Sequence, residues 1–330
     1  MSFFNFFRVM NRRARRSLSG RVKQQSRMSS VSSSSQDISF TSSTSSSKYR
    51  YDGGRRYHGD EKVTYLLPND YEEDDRINGQ HFLVALAFGS HFDSPVQAEL
   101  ETGTNVLDSA CGPATWAMQM AKTYPNSKVY GTDISERFPE SIKPNNCEFL
   151  VHNIVENPPF PNDYFGFIHQ RFLLLGIAKK DWPQILAHHM RTLKPGGWIE
   201  LTELSYAKLV NAGPKAQLTF DTAITVMNKG GMDIDLANSL EPMLKDAGFV
   251  NVQTRSFDMP MNHGGKIGEL FWEDFQQGYH SARPIWAKIH PDIAAPGNFE
   301  KYIEETGEEC KRYQTCVPFT RAYAQKPPFA

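Results

Sequence analysis

The chain has 330 residues, enough for one large α/β domain or two small ones, and its 36 basic and 37 acidic side chains leave a net charge of −1. That balance argues against a general nucleic-acid binder, and no apolar run is long enough to span a bilayer. The four cysteines, Cys111, Cys147, Cys310 and Cys316, lack zinc-ligand spacing and fit a reducing compartment, so no metal is expected.

Residues 1–47 are Ser-rich and hold no acid before Asp37, yet carry Arg8, Arg12, Arg13, Arg15, Arg16, Arg21, Lys23 and Arg27. Such a segment buries too little apolar area to offset its ordering entropy, so a disordered basic tail is expected there and the remainder is acidic. Three readings of the tail stay open: a nuclear-import or polyanion-binding arm, a mitochondrial presequence built on Phe3, Phe4 and Phe7 among arginines, or a solvated tail phosphorylatable at Ser17 and Ser19. The expected location is cytoplasmic or nuclear, with the mitochondrion open.

Tyr65-Leu66-Leu67-Pro68-Asn69-Asp70, followed by Glu73, Asp75, Arg76, Gln80 and His81, reads as a charged surface helix with its apolar side inward. Asn105 to Trp116 is the most informative stretch: Val106-Leu107 form a strand ending in Asp108, small residues turn the chain, and a helical pattern starts at Thr115. Strand, small-residue turn and helix is how an open α/β sheet brings backbone N–H groups to a nucleotide. Asp108 argues against a pyrophosphate, which it would repel, and suits a cationic ligand. Lys128 to Ser135 predicts a second strand ending in Asp133, 25 residues after Asp108, where an acid takes a ribose diol or caps the next helix. Cys147 to Val151 is a third strand, followed by Asn153 and Ile154; Asn153 either accepts from an adenine amine or forms an Asx turn. Tyr164 to Ile168 is a fourth, ending in His169-Gln170-Arg171, where the arginine suits a carboxylate clamp and the histidine is either a site residue or a satisfied buried one. A helix over Asp181 to Leu193 is stopped by Lys194-Pro195-Gly196-Gly197, and a fifth strand follows from Trp198.

Beyond it the pattern predicts helices over Pro214 to Met227 and Asp235 to Ala247, a strand over Val250 to Phe257, a helical region over Ile267 to Ile289 interrupted at Pro284, a helix over Phe299 to Arg312 and a last strand over Cys316 to Ala324. Phe271, Trp272, Phe275, Tyr279 and Trp286 are either core or the lining of an acceptor pocket.

The turn at Val106 to Ala114 resembles motif I of the class I S-adenosylmethionine-dependent methyltransferases, V-L-D-x-G-x-G-x-G, with Asp108 and Gly112 matching. Ala110 and Ala114 replace the family's first and third glycines; a methyl group at Ala110 can be accommodated if φ there is negative. Leu193 to Trp198, L-K-P-G-G-W, is a second family signature. The Y-x-L-P-x-D-x-x-E-x-x-R segment from Tyr65 and the run Phe149 to Arg171 are similar to fungal methyltransferases of the secondary-metabolism regulator type. The resemblance, spanning about Tyr65 to Glu203, implies an α/β fold: a Rossmann-like seven-stranded methyltransferase sheet with helices on both faces, an antiparallel last strand and a helical cap insert. It implies a helical cover over 48–100, a methyltransferase domain over 101–330 and the insert near 259–315. It also implies S-adenosyl-L-methionine as cofactor, with Asp108, Ala110, Cys111, Gly112, Asp133, Ile134, Asn153, Ile154, Gln170 and Arg171 around it. The expected activity is methyl transfer to an unidentified small-molecule or protein acceptor. No base is needed if that acceptor is already nucleophilic; His81 and His169 are the candidates if it is a hydroxyl. Alternatives are a cofactor-binding regulator working through a partner protein with little catalysis and, remotely, an NAD-dependent oxidoreductase, which would need glycines at Ala110 and Thr115.

Overall fold

The computed structural model describes residues 49–52, 54–59, 67–139 and 141–328; the tail 1–47 and the pair Tyr65-Leu66 lie outside the described residues. Neighbouring residues of the central strands feed different cores, as the two-residue strand period requires. Leu107, Tyr130 and Ile168 join one cluster with Trp182, Ile185 and Leu240, whereas Val106, Val129 and Phe167 join another with Trp116 and Met120. Both sheet faces are therefore covered by helices, which makes the central strands apolar runs rather than alternating ones.

The strands are β3 (Asn105–Ser109), β4 (Lys128–Asp133), β5 (Cys147–Val151), β6 (Phe165–Arg171), β7 (Leu193–Leu204), β8 (Val250–Pro260) and β9 (Cys316–Gln325), in sheet order β5-β4-β3-β6-β7-β9-β8. β3 to β7 run parallel, and β9 runs antiparallel to both β7 and β8. The sheet is seven-stranded with an antiparallel last strand, as expected. β5 lies at an edge, so its Leu150 and Val151 are exposed although the run is apolar. From β3 the chain moves outward to β4 and later returns to β3's other side as β6, which makes the carboxyl ends of β3, β4 and β6 the ligand crevice.

Four local features depart from the sequence expectation. The start of the cover is a hairpin, β1 (Tyr49–Asp52) with β2 (Arg55–His58), rather than a helix. Pro284 does not interrupt α7 (Lys266–Ile289). The Pro195-Gly196-Gly197 corner lies within β7 as a bulge: Phe165 pairs with Leu193, but Phe167 pairs with Trp198. A Cβ on Gly197 would come within 3.0 Å of the Gly166 carbonyl, so the glycine permits this approach. Finally, Ala110 and Ala114 have φ of 55° and 64°, flanking Gly112 at 56°, so the alanines hold the left-handed conformation that glycine usually supplies.

The motif turn is stitched to β4: Cys111 N–H donates to the Thr132 carbonyl and Gly112 N–H to Asp133 Oδ2, both at 2.8 Å. α2 (Gln97–Thr102) precedes β3, and α3 (Thr115–Thr123) leaves the turn. α1 (Tyr71–Phe88) lies over it, its N-terminus capped by Asp70, which Arg55 also grips with two hydrogen bonds of 2.6 and 2.8 Å. After β7 come α5 (Pro214–Lys229) and α6 (Leu236–Asp246). Between β8 and β9 stand α7, α8 (Pro291–Ala294) and α9 (Asn298–Tyr313), which pack with α1 around Phe88, Phe271 and Phe299.

Candidate active site

A cavity of about 360 Å³ opens at the carboxyl ends of β3, β4 and β6 and continues between α1, α5 and α7. Its sheet end is formed by the motif turn, by Asp133 at the end of β4 with Ile134 and Ser135 after it, by His152 to Val155 after β5 and by Arg171 at the end of β6. Its deeper end is formed by Tyr206, by α5 residues such as Thr219 and Val226, and by one stripe of α7. α1 contributes Arg76, Ile77 and Gln80.

Among the residues singled out in the sequence, Ala110, Cys111, Gly112, Asp133, Ile134, Asn153, Ile154 and Arg171 meet on this one cavity wall. Asp133 accepts from the Gly112 and Ser135 amides, one on each carboxylate oxygen and both at 2.8 Å, which fixes its plane. Each oxygen retains a second lone pair. Asn153 accepts from Val155 N–H at 3.3 Å, so it closes an Asx turn and lines the cavity at once. Burial, with the Asp108 and Asp133 carboxylates nearby, pushes the Cys111 thiol well up, which keeps it protonated rather than nucleophilic. The Arg171 guanidinium makes no ion pair or hydrogen bond with a described residue; it stands 5.9 Å from the Phe172 ring, with the Asp108 carboxyl near enough to favour its charge. Burial pulls its pKa down to about 10, yet it remains a cation at neutral pH. Space remains above Gly112, where a Cβ would meet only Arg137 and Ile77 at 3.8 and 3.9 Å.

Four of the residues singled out stand elsewhere. Asp108, expected beside the ligand, turns behind the motif turn: its Oδ1 shares a hydrogen bond of 2.9 Å with Nδ1 of His169, which stacks on Trp116 at 3.8 Å. Burial raises Asp108 to about 7 despite the Arg171 cation nearby, and it drives His169 well down, so the imidazole is neutral. Gln170 also points away from the cavity, and its Oε1 meets Nε2 of His189 on α4 (Trp182–Thr192) at 2.8 Å. The side chains of β6 alternate across the sheet, so Arg171 reaches the crevice while Gln170 faces a helix layer. His81 stacks on His91 at 5.2 Å outside the cavity, and burial holds its pKa at about 2. Neither histidine weighed as a base lines the cavity.

Other cavity residues were not recognised as such. Asp274 of α7 pairs with Arg76 of α1 at 2.9 Å and accepts from Gln80 at 3.2 Å, fastening the cover to the cap across the cavity. Arg76 also pairs with Glu73 at 2.5 Å. The signal was present: Phe271, Asp274, Phe275, Gly278, Tyr279 and Ala282 recur at three- and four-residue spacing, so one carboxylate interrupts an aromatic helix stripe. Along that stripe Phe271, Phe275, Tyr279 and Trp286 line the cavity, whereas Trp272 is core, packed against Gly307. Tyr206, just after β7, had no local pattern to mark it.

Residues 106–197 match the family model described as a methyltransferase domain. The chain is 32% identical over 309 residues to methyltransferase pytC of Aspergillus terreus, covering 88% of this chain and 92% of that protein. It is 26% identical to N-methyltransferase verN of Clonostachys rogersoniana, over 81% of this chain and 94% of that one. It is 30% identical to the secondary metabolism regulator LAE1 of Cochliobolus heterostrophus, over 74% and 84% respectively.

Proposed function

The chain belongs to the S-adenosylmethionine-dependent methyltransferases, and on that premise we propose that the crevice end of its cavity holds the cofactor while the end between α5 and α7 holds the acceptor. The carrying observation is the placement of Asp133 and the unpaired Arg171 on one cavity wall, on strands either side of the motif turn. When bound, S-adenosylmethionine supplies a methyl group already activated by its sulfonium. Asp133 receives the ribose hydroxyls on its remaining lone pairs, held in plane by the Gly112 and Ser135 amides. Ile134 and Ile154 offer apolar contacts to adenine, and Asn153 offers its amide. Arg171, hydrogen-bonded to no described residue although Asp108 lies near it, clamps the methionyl carboxylate in a bidentate pair. Arg76, Ile77 and Gln80 roof the cavity and exclude water, so the chain's main contribution is to align two reactants in a dry site.

His81 and His169 lie outside the cavity, and His152 lines only its cofactor end, with Nε2 3.3 Å from the Glu156 carbonyl, so the acceptor atom is one that is nucleophilic without a histidine base; the nitrogen that the name N-methyltransferase verN specifies is of this kind. The two left-handed alanines favour a second reading, a cofactor-binding regulator with little turnover. Calorimetry on the full chain tests the site: S-adenosylmethionine and S-adenosylhomocysteine should bind, and Asp133→Asn and Arg171→Met should each weaken binding at least about tenfold, the scale of a lost charge-assisted bond of roughly 1.5–3 kcal/mol. No heat with either compound, in folded protein, overturns the assignment. Binding without transfer of labelled methyl to any component of a cell extract marks the regulator.

A further inference from the structure

The methyltransferase reading leaves the acceptor undefined, and the following rests on that reading. We propose that the acceptor is an uncharged, ring-bearing small molecule that presents a carbonyl or ether oxygen to the phenols of Tyr206 and Tyr279.

The deep walls are apolar and aromatic: Phe271, Phe275 and Trp286 from the cap, Val226 and Met227 from α5, and Phe319 from β9. Flat side chains offer area to a flat ligand and favour edge-to-face or offset contacts; Phe275 and Tyr279 already stand edge to face at 4.5 Å and 84°. Among the described residues the only charged side chain on the α5 and α7 walls is Asp274, which is bonded to Gln80 and to Arg76, a cation it shares with Glu73. An anionic acceptor would enter beside carboxylates with no free cation to meet it, and a cationic one would have to compete with Arg76 and Gln80 for Asp274; burying a charge without a partner is costly. The Tyr279 hydroxyl is buried without a hydrogen-bond partner among the described residues, and no described residue bonds the Tyr206 hydroxyl. Burial pushes Tyr206 up to about 12 and, with the Tyr206 phenol nearby, holds Tyr279 well above its ordinary value, so both remain protonated donors. A buried donor without a partner is satisfied by a ligand oxygen.

A polypeptide acceptor fits poorly. Its backbone would bring N–H and C=O groups that each need a partner. The two threonine hydroxyls on the α5 wall are already engaged, Thr219 with Tyr302 and Thr222 with His290.

Four probes of one size separate the possibilities: 2-acetylnaphthalene, 2-ethylnaphthalene, 2-naphthoate and 2-naphthylmethylammonium, titrated calorimetrically into the full chain saturated with S-adenosylhomocysteine. A methionine-containing hexapeptide is the fifth. The heat of S-adenosylhomocysteine binding is measured first. Its absence sinks the methyltransferase reading, whereas its presence with a different probe order sinks only this inference. The ketone should bind roughly tenfold or more tightly than the two ions and the peptide, and several-fold more tightly than the ethyl compound. Tyr206→Phe with Tyr279→Phe should bring the ketone down to the ethyl compound while S-adenosylhomocysteine still binds. Ala282→Trp, which fills the chamber from α7, should abolish probe binding with the same retention. If the double variant fails to fold, the order of the five probes on the unaltered chain decides. Equal or tighter binding of either ion or the peptide, no binding of the ketone, or an unchanged ketone preference in the double variant overturns the proposal.

Discussion

Replacing Ala110 with glycine should stabilise this protein, although the alanine lines the cavity of an enzyme whose fold depends on the turn. Ala110 has φ of 55°. An L-residue in that region costs about 1–2 kcal/mol. Glycine removes the cost but gives the unfolded chain more freedom, which takes back about 0.4–1 kcal/mol. The expected net gain is about 0.5–1 kcal/mol. With an unfolding entropy near 2.1 cal/mol/K per residue over about 280 folded residues, Tm should rise by about 1–2 °C. Ala114 has φ of 64° and the same backbone strain, but its methyl is 0% exposed within the cluster of Trp116 and Phe167. Removing that methyl forfeits about 0.8 kcal/mol of burial, with a small cavity added, so Ala114→Gly should come out near zero or slightly destabilising. Ala85→Gly, inside α1, is the control and should lose about 1 kcal/mol. Urea unfolding of the four proteins, with scanning calorimetry, measures all of this. Destabilisation of Ala110→Gly as large as that of Ala85→Gly would refute the left-handed geometry. Cofactor affinity should stay equal or improve in Ala110→Gly; a large loss would mean that the turn is specialised around the methyl group.

Asp274→Leu removes the bridge between cap and cover. It should cost about 2–3 kcal/mol, less than the usual penalty for a broken buried pair because Glu73 still faces Arg76. Amide exchange should rise first in α1, and unchanged exchange there would show that the bridge does not hold the cover. Glu203 should make stability pH-dependent: burial raises it to about 8, although the Leu173 and Leu174 amides donate to it. Between about pH 4.5 and pH 8 the native state keeps this proton and the unfolded chain releases it, so this group's contribution to stability falls as pH rises, by at most about 1.4 kcal/mol per pH unit. Glu203→Gln should therefore gain on the parent protein between pH 5 and pH 8 in urea titrations. A gap that stays constant over that range would contradict the buried, protonated state.

The sequence determined the architecture because its information was local and periodic. Val106-Leu107, Val129-Tyr130 and Phe167-Ile168 are strands buried on both faces, and such runs accompany parallel sheets and helices in register. Asp133 was legible for a similar reason: an acid closing a buried strand has one crevice to face, and the structure puts it on the cavity wall. Local pattern was insufficient where a decision depended on a distant partner. Whether an alanine accepts positive φ was settled by the Thr132 carbonyl and the Asp133 carboxylate, which hold the adjoining amides. Asp108 carries the family's motif residue, yet its direction was set by His169 on the neighbouring strand, 61 positions away. Arg76 and Asp274 are 198 positions apart and meet only because α1 and α7 close over the same crevice. The acceptor chamber is likewise a tertiary product: α5, α7 and β9 each bring a few side chains to it, and no single segment holds enough of the wall to reveal its shape.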